Sequence, residues 1–296
     1  MALFTSYDDN SLREDLTDII INISATETPF TTGMPATKAT QRVHEWQSDV
    51  LVPAFINKVI EGSDATFPTL SGRTRLFNVT QILRKTWLVS DSDAAFEKAG
   101  IPNSIAYEIE KATKELATDL EISVINGVLD AGSSGVAREM DGVLNTITTN
   151  IVDAASSSLT EDRYNDLAEL IAVAGGSATE THVNTKLKRL ISSFTASSTK
   201  FDDAAARRVI NQVSVYEGDF GVQNIFYNRY VPGGGAGANI LLLVQKDMYA
   251  LAWARPFINE VLAKTGGAMK GQIEGEVTLR FGNELAAAKF INLNPT

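Results

Sequence analysis

Hydrophobic residues recur every three or four positions along one stretch of the chain, which identifies its clearest helix. Between Asn103 and about Leu129 the apolar stripe consists of Ile105, Ile109, Ala112, Leu116, Leu120 and Val124. This spacing places one apolar face on an α-helix. Asn103 or Ser104 can cap the first turn, because a side-chain oxygen there accepts from free backbone N–H groups. At 1.5 Å per residue such a helix is about 40 Å long.

Two apolar runs nearer the N-terminus predict extended structure. Residues 74–90 contain no Gly or Pro and are rich in β-branched and aromatic side chains. As one strand they would reach about 50 Å, at roughly 3.3 Å per residue, whereas an average strand has about five or six residues. Together with the extended run 43–51 they predict a long hairpin that projects onto another protein. We therefore expect deletion of residues 60–85 to leave the body folded.

The first 35 residues carry apolar side chains that have no obvious partner elsewhere in the sequence. Residues 12–24 read as mildly helical or extended, and the Thr28-Pro29-Phe30 sequence, followed by Gly33, ends that pattern. We interpret residues 1–35 as an arm that needs a surface to cover.

Shorter helices and strands make up the rest of the chain. Helices are predicted over residues 160–174 and 181–194, with shorter ones over residues 93–98 and after Asp203. Strands are predicted where apolar runs are separated by glycines, at residues 213–216, 223–230, 240–244 and 277–281. This order of elements indicates an α+β fold.

Charge and composition narrow the range of functions. The 296 residues include 26 Lys and Arg against 36 Asp and Glu, a formal net charge of −10. A surface that grips nucleic acid is usually basic, because it displaces counterions from phosphates. The absence of Cys excludes disulfides and thiolate chemistry, and only His44 and His182 remain as histidine ligands or bases. The most apolar run, Ile240 to Val244, is too short to span a bilayer, so no membrane partner is expected.

Three short motifs suggest chemistry, and each has a plainer explanation. The glycine-rich segment 233–237 precedes a predicted strand and not a helix that begins with Lys-Ser/Thr, so it predicts a loop that binds no phosphate. His44 and Glu45 are neighbours in an extended segment and point to opposite faces, which favours packing of Trp46 beside a hydrogen-bonded His44. Residues 91–97 lack the glycine and the ligand spacing of a calcium loop. No catalytic residue, cofactor or metal is therefore predicted.

Basic residues are grouped in three places despite the acidic balance. The groups are Arg73 to Lys85, Lys186 with Lys188 and Arg189, and Arg207-Arg208. On an acidic chain we expect such groups to meet carboxylates of a neighbouring subunit and not phosphates. The residues predicted to make contacts between subunits are Phe30, Arg73, Arg75, Arg84, Lys85, Arg207 and Arg208.

Several of these segments, taken in order, resemble a known family. They are Thr28-Pro29-Phe30, His44 to Asp49, Asn78 to Ile82, Glu217 to Gly221 with Asn228-Arg229, Arg255 to Glu260, Leu262 to Gly266, Gly275 to Leu279 and Asn283-Glu284. In this order and spacing the sequence resembles the major capsid proteins of tailed bacteriophages, which have the Hong Kong 97-type fold. The resemblance extends over nearly the whole chain.

The resemblance implies a division of the chain by its role in a shell. Residues 1–35 would be an N-terminal arm and residues 36–97 an extended loop, both reaching over neighbouring subunits. Residues 98–145 and 272–296 would form a peripheral domain that contains the long helix as its spine. Residues 146–271 would form an axial domain around five-fold and six-fold positions.

The resemblance also implies the function and the partners. Copies of the chain would assemble as pentamers and hexamers into an icosahedral shell around double-stranded DNA, without sequence-specific binding. Deletion of the projecting loop would then abolish shells. Because the arm begins close to Met1, we expect a separate scaffolding protein, together with a portal; a decoration protein is a further candidate partner. The protein would be found in the virion after assembly in the host cytoplasm.

Two other functions fit parts of the sequence. An encapsulin-like compartment shares the fold and houses a cargo enzyme in place of a genome. A soluble α+β enzyme would use a site near the glycine-rich segment 233–237 and Arg255, and would form a small discrete oligomer.

Overall fold

The computed structural model describes residues 27–49, 51–52, 54–67, 72–96, 103–194, 214–234 and 238–294. The chain forms two compact units. Among the described residues, one unit comprises those within 84–116 and 258–274, and the other comprises those within 27–83, 117–257 and 275–294. The four-part division inferred from the resemblance follows roles in assembly and not compactness, and it stays a prediction.

The described ranges contain twelve strands and five α-helices. The strands are β1 (Ala36–Lys38), β2 (Val43–Ser48), β3 (Thr74–Val79), β4 (Gln81–Ser90), β5 (Ile151–Asp153), β6 (Glu180–Val183), β7 (Val215–Gly218), β8 (Gly221–Tyr227), β9 (Asn239–Val244), β10 (Tyr249–Val261), β11 (Ala268–Phe281) and β12 (Ala287–Leu293). The helices are α1 (Asp91–Ala95), α2 (Ser104–Asn126), α3 (Val143–Thr146), α4 (Glu161–Val173) and α5 (Thr185–Ser192).

The strands form three sheets. The largest has the order β5-β12-β9-β6-β8-β7, a second has the order β1-β10-β11-β4, and β2 pairs with β3 alone. The six-stranded sheet is mixed, since β6 lies parallel to β8 but antiparallel to β9. Its core residues pack with buried residues of α4 and α5, such as Leu167, Ile171 and Leu187. Helices and sheets are thus combined as the predicted α+β class requires.

The long helix was predicted correctly as α2. Its N-terminus is capped by Asn103, whose Oδ1 accepts from the backbone N–H groups of Ile105 at 3.0 Å and Ala106 at 3.1 Å. Along the predicted stripe, Leu116 and Val124 are fully or almost fully buried. The helix ends at Asn126, just before Gly127 and three residues earlier than predicted. None of the helices in the described ranges is both long and apolar enough to cross a membrane.

Residues 74–90 are extended, as predicted, but they form two strands and not one long strand. The run divides at Thr80 into β3, which pairs antiparallel with β2, and β4, which pairs with β11 in another sheet. Thr80 is fully buried, and its Oγ1 donates to Glu276 Oε1 at 2.6 Å. Asn78 is also fully buried, and its Nδ2 donates to the carbonyls of Asp141 and Leu279. These polar anchors lie in the body of the fold, so deletion of residues 60–85 would remove part of the core.

Two predicted helices begin elsewhere. The prediction of a helix over residues 181–194 is wrong at its start, because β6 occupies residues 180–183 and Asn184 caps α5 by accepting from the N–H groups of Lys186 and Leu187. All four residues of β6, which are mostly polar, are buried between β8 and β9, so pairing with distant strands and not the local sequence decides their extended conformation. The helix expected over residues 93–98 is α1, which begins at Asp91 with Ser90 as its cap. The helix expected after Asp203 lies outside the described residues.

Candidate subunit interface

Seven exposed large apolar side chains lie close together in the sequence, in the connection between β2 and β3. We call residues 51–67, with residue 53 outside the description, the exposed loop. It has no helix or strand and turns at Gly62. Leu51, Ile56 and Phe67 are 91%, 89% and 92% exposed, and Val52, Phe55, Val59 and Ile60 are also mostly exposed. Apolar side chains clustered in this way mark an interaction surface.

The stem below the exposed loop carries two of the predicted contact residues. Arg73 lies 3.7 Å from the Asp49 carboxylate, and Arg75 lies 3.4 Å from the Glu45 carboxylate across the β2–β3 pair. All four side chains are largely exposed. Exposed ion pairs contribute about 0–1 kcal/mol, so a carboxylate of another subunit can replace either partner at little cost.

Arg84 and Lys85 lie on β4 in the other compact unit. Arg84 Nε donates to Glu274 Oε2 at 2.6 Å, and Lys85 lies 3.9 Å from the Glu115 carboxylate on α2. The basic residues of β4 therefore have carboxylate partners within their own chain. Their predicted contact with a neighbouring subunit stays a prediction. Arg207 and Arg208 lie outside the described residues.

Phe30 has a different role from the predicted one. Its side chain is fully buried within its own chain, with the ring edge-on to His182 at 5.0 Å and to Tyr249 at 5.8 Å between centroids. A side chain without exposed surface cannot contact a neighbouring subunit in this conformation. The correction is that Phe30 anchors the base of the arm in the subunit, and we do not retain it as a contact residue.

Sequence reasoning missed the residue that holds this anchor. Glu121 on α2 is fully buried, and its carboxylate accepts hydrogen bonds from the backbone of both Phe30 and Thr31. The signal in the sequence is a charged residue placed directly beside the apolar stripe, between Leu120 and Val124. A buried carboxylate must be compensated by several donors, so such a position indicates a polar contact with a distant segment.

Of the three motifs set aside in the sequence, the one at His44 and Trp46 packs as expected, with one correction. His44 and Trp46 share one face of β2, and the Trp46 ring lies edge-on to Phe281 at 5.0 Å. His44 was expected to be hydrogen-bonded, but its buried Nε2 has no hydrogen-bond partner in the part of the chain that the structure describes. Burial, and then the positive charge of Arg280, lower the pKa of His44 and favour its neutral form.

The glycine-rich segment lies between β8 and β9, as predicted, and residues 235–237 fall outside the description. Gly233 lies against Asn184, where a Cβ atom would stand 2.1 Å from the Asn184 amide nitrogen. Lys186 Nζ donates to the Gly234 carbonyl at 2.9 Å. The lysine beside this loop is therefore engaged with backbone. Among the described residues no cluster of three or more His, Asp or Glu could hold a metal ion.

Comparison with known proteins identifies the family. The sequence pattern of the SU10 major capsid protein family matches residues 3–294. The chain belongs to this family. A major capsid protein of Escherichia phage Phieco32 is 33% identical over 127 residues, which are 43% of this chain and 36% of that protein. The match therefore spans about a third of the relative's length, and family membership confirms the predicted class, a phage major capsid protein.

Solved structures confirm the fold. A cyanophage A-1(L) capsid subunit is similar with a TM-score of 0.69 and 13% identity, covering 98% of this chain and 99% of that one. The capsid of a native GTA particle gives a TM-score of 0.69 and 11% identity, covering 97% of each chain. The SrpI encapsulin of Synechococcus elongatus gives 0.63 and 10%, covering 100% of this chain and 98% of that one. The predicted Hong Kong 97-type fold is confirmed, and the family match favours a phage capsid over an encapsulin.

Proposed function

We propose that copies of this capsid protein assemble as pentamers and hexamers into an icosahedral shell that encloses double-stranded DNA, and that its role is structural and not catalytic. The observation that supports this proposal best is the exposed loop. Its apolar side chains extend from the β2–β3 stem without cover from the described parts of the same chain. A subunit with such a surface is suited to permanent association with other copies.

The energy available from the exposed loop is large enough to drive assembly. Burial of one large apolar side chain stabilises by about 1.5–3 kcal/mol, so the apolar residues of one loop would together contribute roughly 10–20 kcal/mol. Part of this gain is offset by the entropy lost when the loop and the subunits are ordered. Each subunit in a ring can give one loop and receive another, so the contribution recurs at every interface.

The charges fit a container that does not adhere to its contents. The chain has a formal net charge of −10, and Arg73, Arg75, Arg84 and Lys85 each lie near a carboxylate of the same chain. Such a surface offers few free cations to DNA phosphates. We further propose a separate scaffolding protein and a portal as partners, a decoration protein as an additional candidate, and assembly in the host cytoplasm before incorporation into virions.

The test replaces residues 54–67 by a Gly-Ser linker of the same length and retains β2 and β3. We expect the parent chain to form rings or shells in light scattering and negative-stain microscopy, alone or with scaffold. The variant is expected to keep the parent's circular dichroism and melting temperature but to remain a single subunit. A parent chain that stays monomeric or dimeric under all salt and scaffold conditions would refute the proposal, as would shells formed by the variant.

The second candidate is a protein compartment, because the SrpI encapsulin has a similar fold over the whole chain. Its test is the content of shells produced in the natural host. Nuclease-resistant double-stranded DNA within the particles supports the capsid, whereas a co-purified enzyme without DNA supports the compartment.

A further inference from the structure

The base of the arm is held by a buried carboxylate that the proposed function does not yet use. Glu121 Oε1 accepts from the Phe30 N–H at 2.9 Å and from Asn228 Nδ2 at 2.7 Å. Its Oε2 accepts from the Thr31 N–H at 2.8 Å and from Thr31 Oγ1 at 2.7 Å. Both oxygens of one fully buried side chain thus join three segments that are far apart in the sequence.

The turn that meets Glu121 is shaped to present its N–H groups to an anion. The Thr32 N–H donates to the Thr28 carbonyl at 3.0 Å, and the Met34 N–H donates to the Thr31 carbonyl at 3.2 Å. Gly33 completes the turn with a φ of 75°, which a residue with a side chain rarely adopts. Two consecutive N–H groups, those of Phe30 and Thr31, are left for the carboxylate, an arrangement that binds anions well.

A cation holds the carbonyl side of the same turn. Lys246 Nζ donates to the Thr32 carbonyl at 2.9 Å and lies 3.5 Å from the Pro29 carbonyl. The same ammonium lies 3.1 Å from the Glu180 carboxylate, which also bonds His182 Nε2 at 3.1 Å. The turn is therefore fixed by an anion on its N–H side and a cation on its carbonyl side, while the Phe30 ring packs edge-on to His182 and Tyr249. Charge-assisted bonds of this kind are stronger and more directional than neutral ones.

We propose that Glu121 is a positioning residue for assembly, because it clamps Phe30 and Thr31 to α2 and so fixes the base of the N-terminal arm, residues 27–35, in each subunit. The inference rests on the proposed function and on the expectation, implied by the resemblance, that the arm contacts a neighbouring subunit. An arm that starts from one fixed point can reach the same place on every neighbour, whereas an arm with a loose base spends its binding energy on ordering that base. The clamp thus acts before any contact between subunits forms.

The test compares Glu121→Gln with Glu110→Gln. Both remove one carboxylate from α2, but Glu110 is exposed and pairs only with Lys114 in the described residues. In Glu121→Gln an amide NH₂ group replaces one carboxylate oxygen. Because each oxygen accepts from an N–H group, the NH₂ group then faces another donor. The clamp is thus weakened with little change in side-chain volume. Shell yield is measured by light scattering, and folding is checked by circular dichroism and melting.

A second readout follows the base of the arm itself. The chain contains no Cys, so spin labels can be placed at Glu27→Cys and at Glu169→Cys on α4 without a competing thiol. We expect a narrow distribution of distances between the labels in the parent and in Glu110→Gln, and a broad one in Glu121→Gln. Shell yield is expected to fall at least tenfold in Glu121→Gln and to stay within twofold of the parent in Glu110→Gln.

The inference is overturned if Glu121→Gln forms shells as well as the parent, or if it loses shells while the distance distribution stays narrow. If Glu121→Gln does not fold, Thr31→Val decides the matter, since it removes only the Thr31 Oγ1 hydrogen bond. An intermediate loss of shells together with intermediate broadening then supports the clamp, and an unchanged distribution refutes it. Failure of the parent to form shells would refute the proposed function instead, which keeps the two outcomes separate.

Discussion

The exposed loop and the turn at the base of the arm form an instructive contrast. Both contain a phenylalanine, and both were expected to contact neighbouring subunits. In the structure Phe67 is 92% exposed, whereas Phe30 is fully buried against His182 and Tyr249. The N–H groups of the turn bond the buried Glu121 carboxylate, whereas no described part of the chain covers the exposed loop.

This contrast teaches how intramolecular and intermolecular apolar surfaces differ. The Phe30 turn meets a buried carboxylate, Glu121, which accepts hydrogen bonds from the backbone of the turn, from the Thr31 hydroxyl and from Asn228. Such a partner must be present in every folded subunit, because an unsatisfied buried carboxylate is costly. The exposed loop covers no such buried charge, so its apolar side chains can stay exposed to solvent until a second subunit covers them.

The largest expected effect comes from truncating the two phenylalanines in turn. Phe30→Ala should lower the free energy of unfolding of the subunit by about 3–5 kcal/mol, because it leaves a cavity beside His182 and Tyr249. Phe67→Ala should change it by less than about 0.5 kcal/mol, since the ring is in water in both states. Denaturant unfolding of unassembled subunits measures both values. Equal costs for the two variants would remove the contrast.

A smaller effect is expected from acid acting beneath the Phe30 turn. Burial opposes the charge of Glu180, but the hydrogen bond from His182 and the positive charge of Lys246 outweigh it and lower the pKa of Glu180 below its usual value. Ionised Glu180 therefore stabilises the folded subunit. This contribution is complete above the ordinary pKa of a glutamate, about 4.3, and is lost as the pH falls through the lowered pKa of Glu180.

The matching measurement is the free energy of unfolding of the parent and of Glu180→Gln between pH 7 and pH 3. The parent should be more stable near pH 7, and the difference should shrink at the acid end, where a protonated Glu180 resembles glutamine. The control is Glu61→Gln in the exposed loop, for which no such convergence is expected. A constant difference at every pH would contradict the role assigned to Glu180.

The smallest effect on the subunit is expected at the stem of the exposed loop. Arg75→Gln removes an exposed ion pair with Glu45 and should change the free energy of unfolding by about 0.5 kcal/mol or less. If Arg75 contacts a neighbouring subunit, the same variant should lower shell yield, and added salt should lower that of the parent too. If shell yield and its salt dependence are unchanged, Arg75 contacts only residues of its own subunit.

Local patterns predicted much of the fold correctly. The apolar stripe of α2 and its cap at Asn103 depend on side chains within one helix, so a short stretch of sequence contains the necessary information. The errors arose where contacts with distant segments determine the local conformation. Residues 180–183 are buried between two strands that lie far away in the sequence, and Thr80 divides an apparently continuous strand because it bonds Glu276, 196 positions later.

The sequence by itself determined the α+β class, the family resemblance, the acidic balance and the existence of an apolar segment that needs a partner. Those properties follow from composition or from patterns of nearby residues, which do not depend on how distant parts of the chain meet. Only the tertiary structure decided which apolar residues find that partner within their own subunit. Phe30 does so because Glu121, Asn228 and Lys246 converge on one turn, and residues 51–67 do not because nothing described in the same chain covers them.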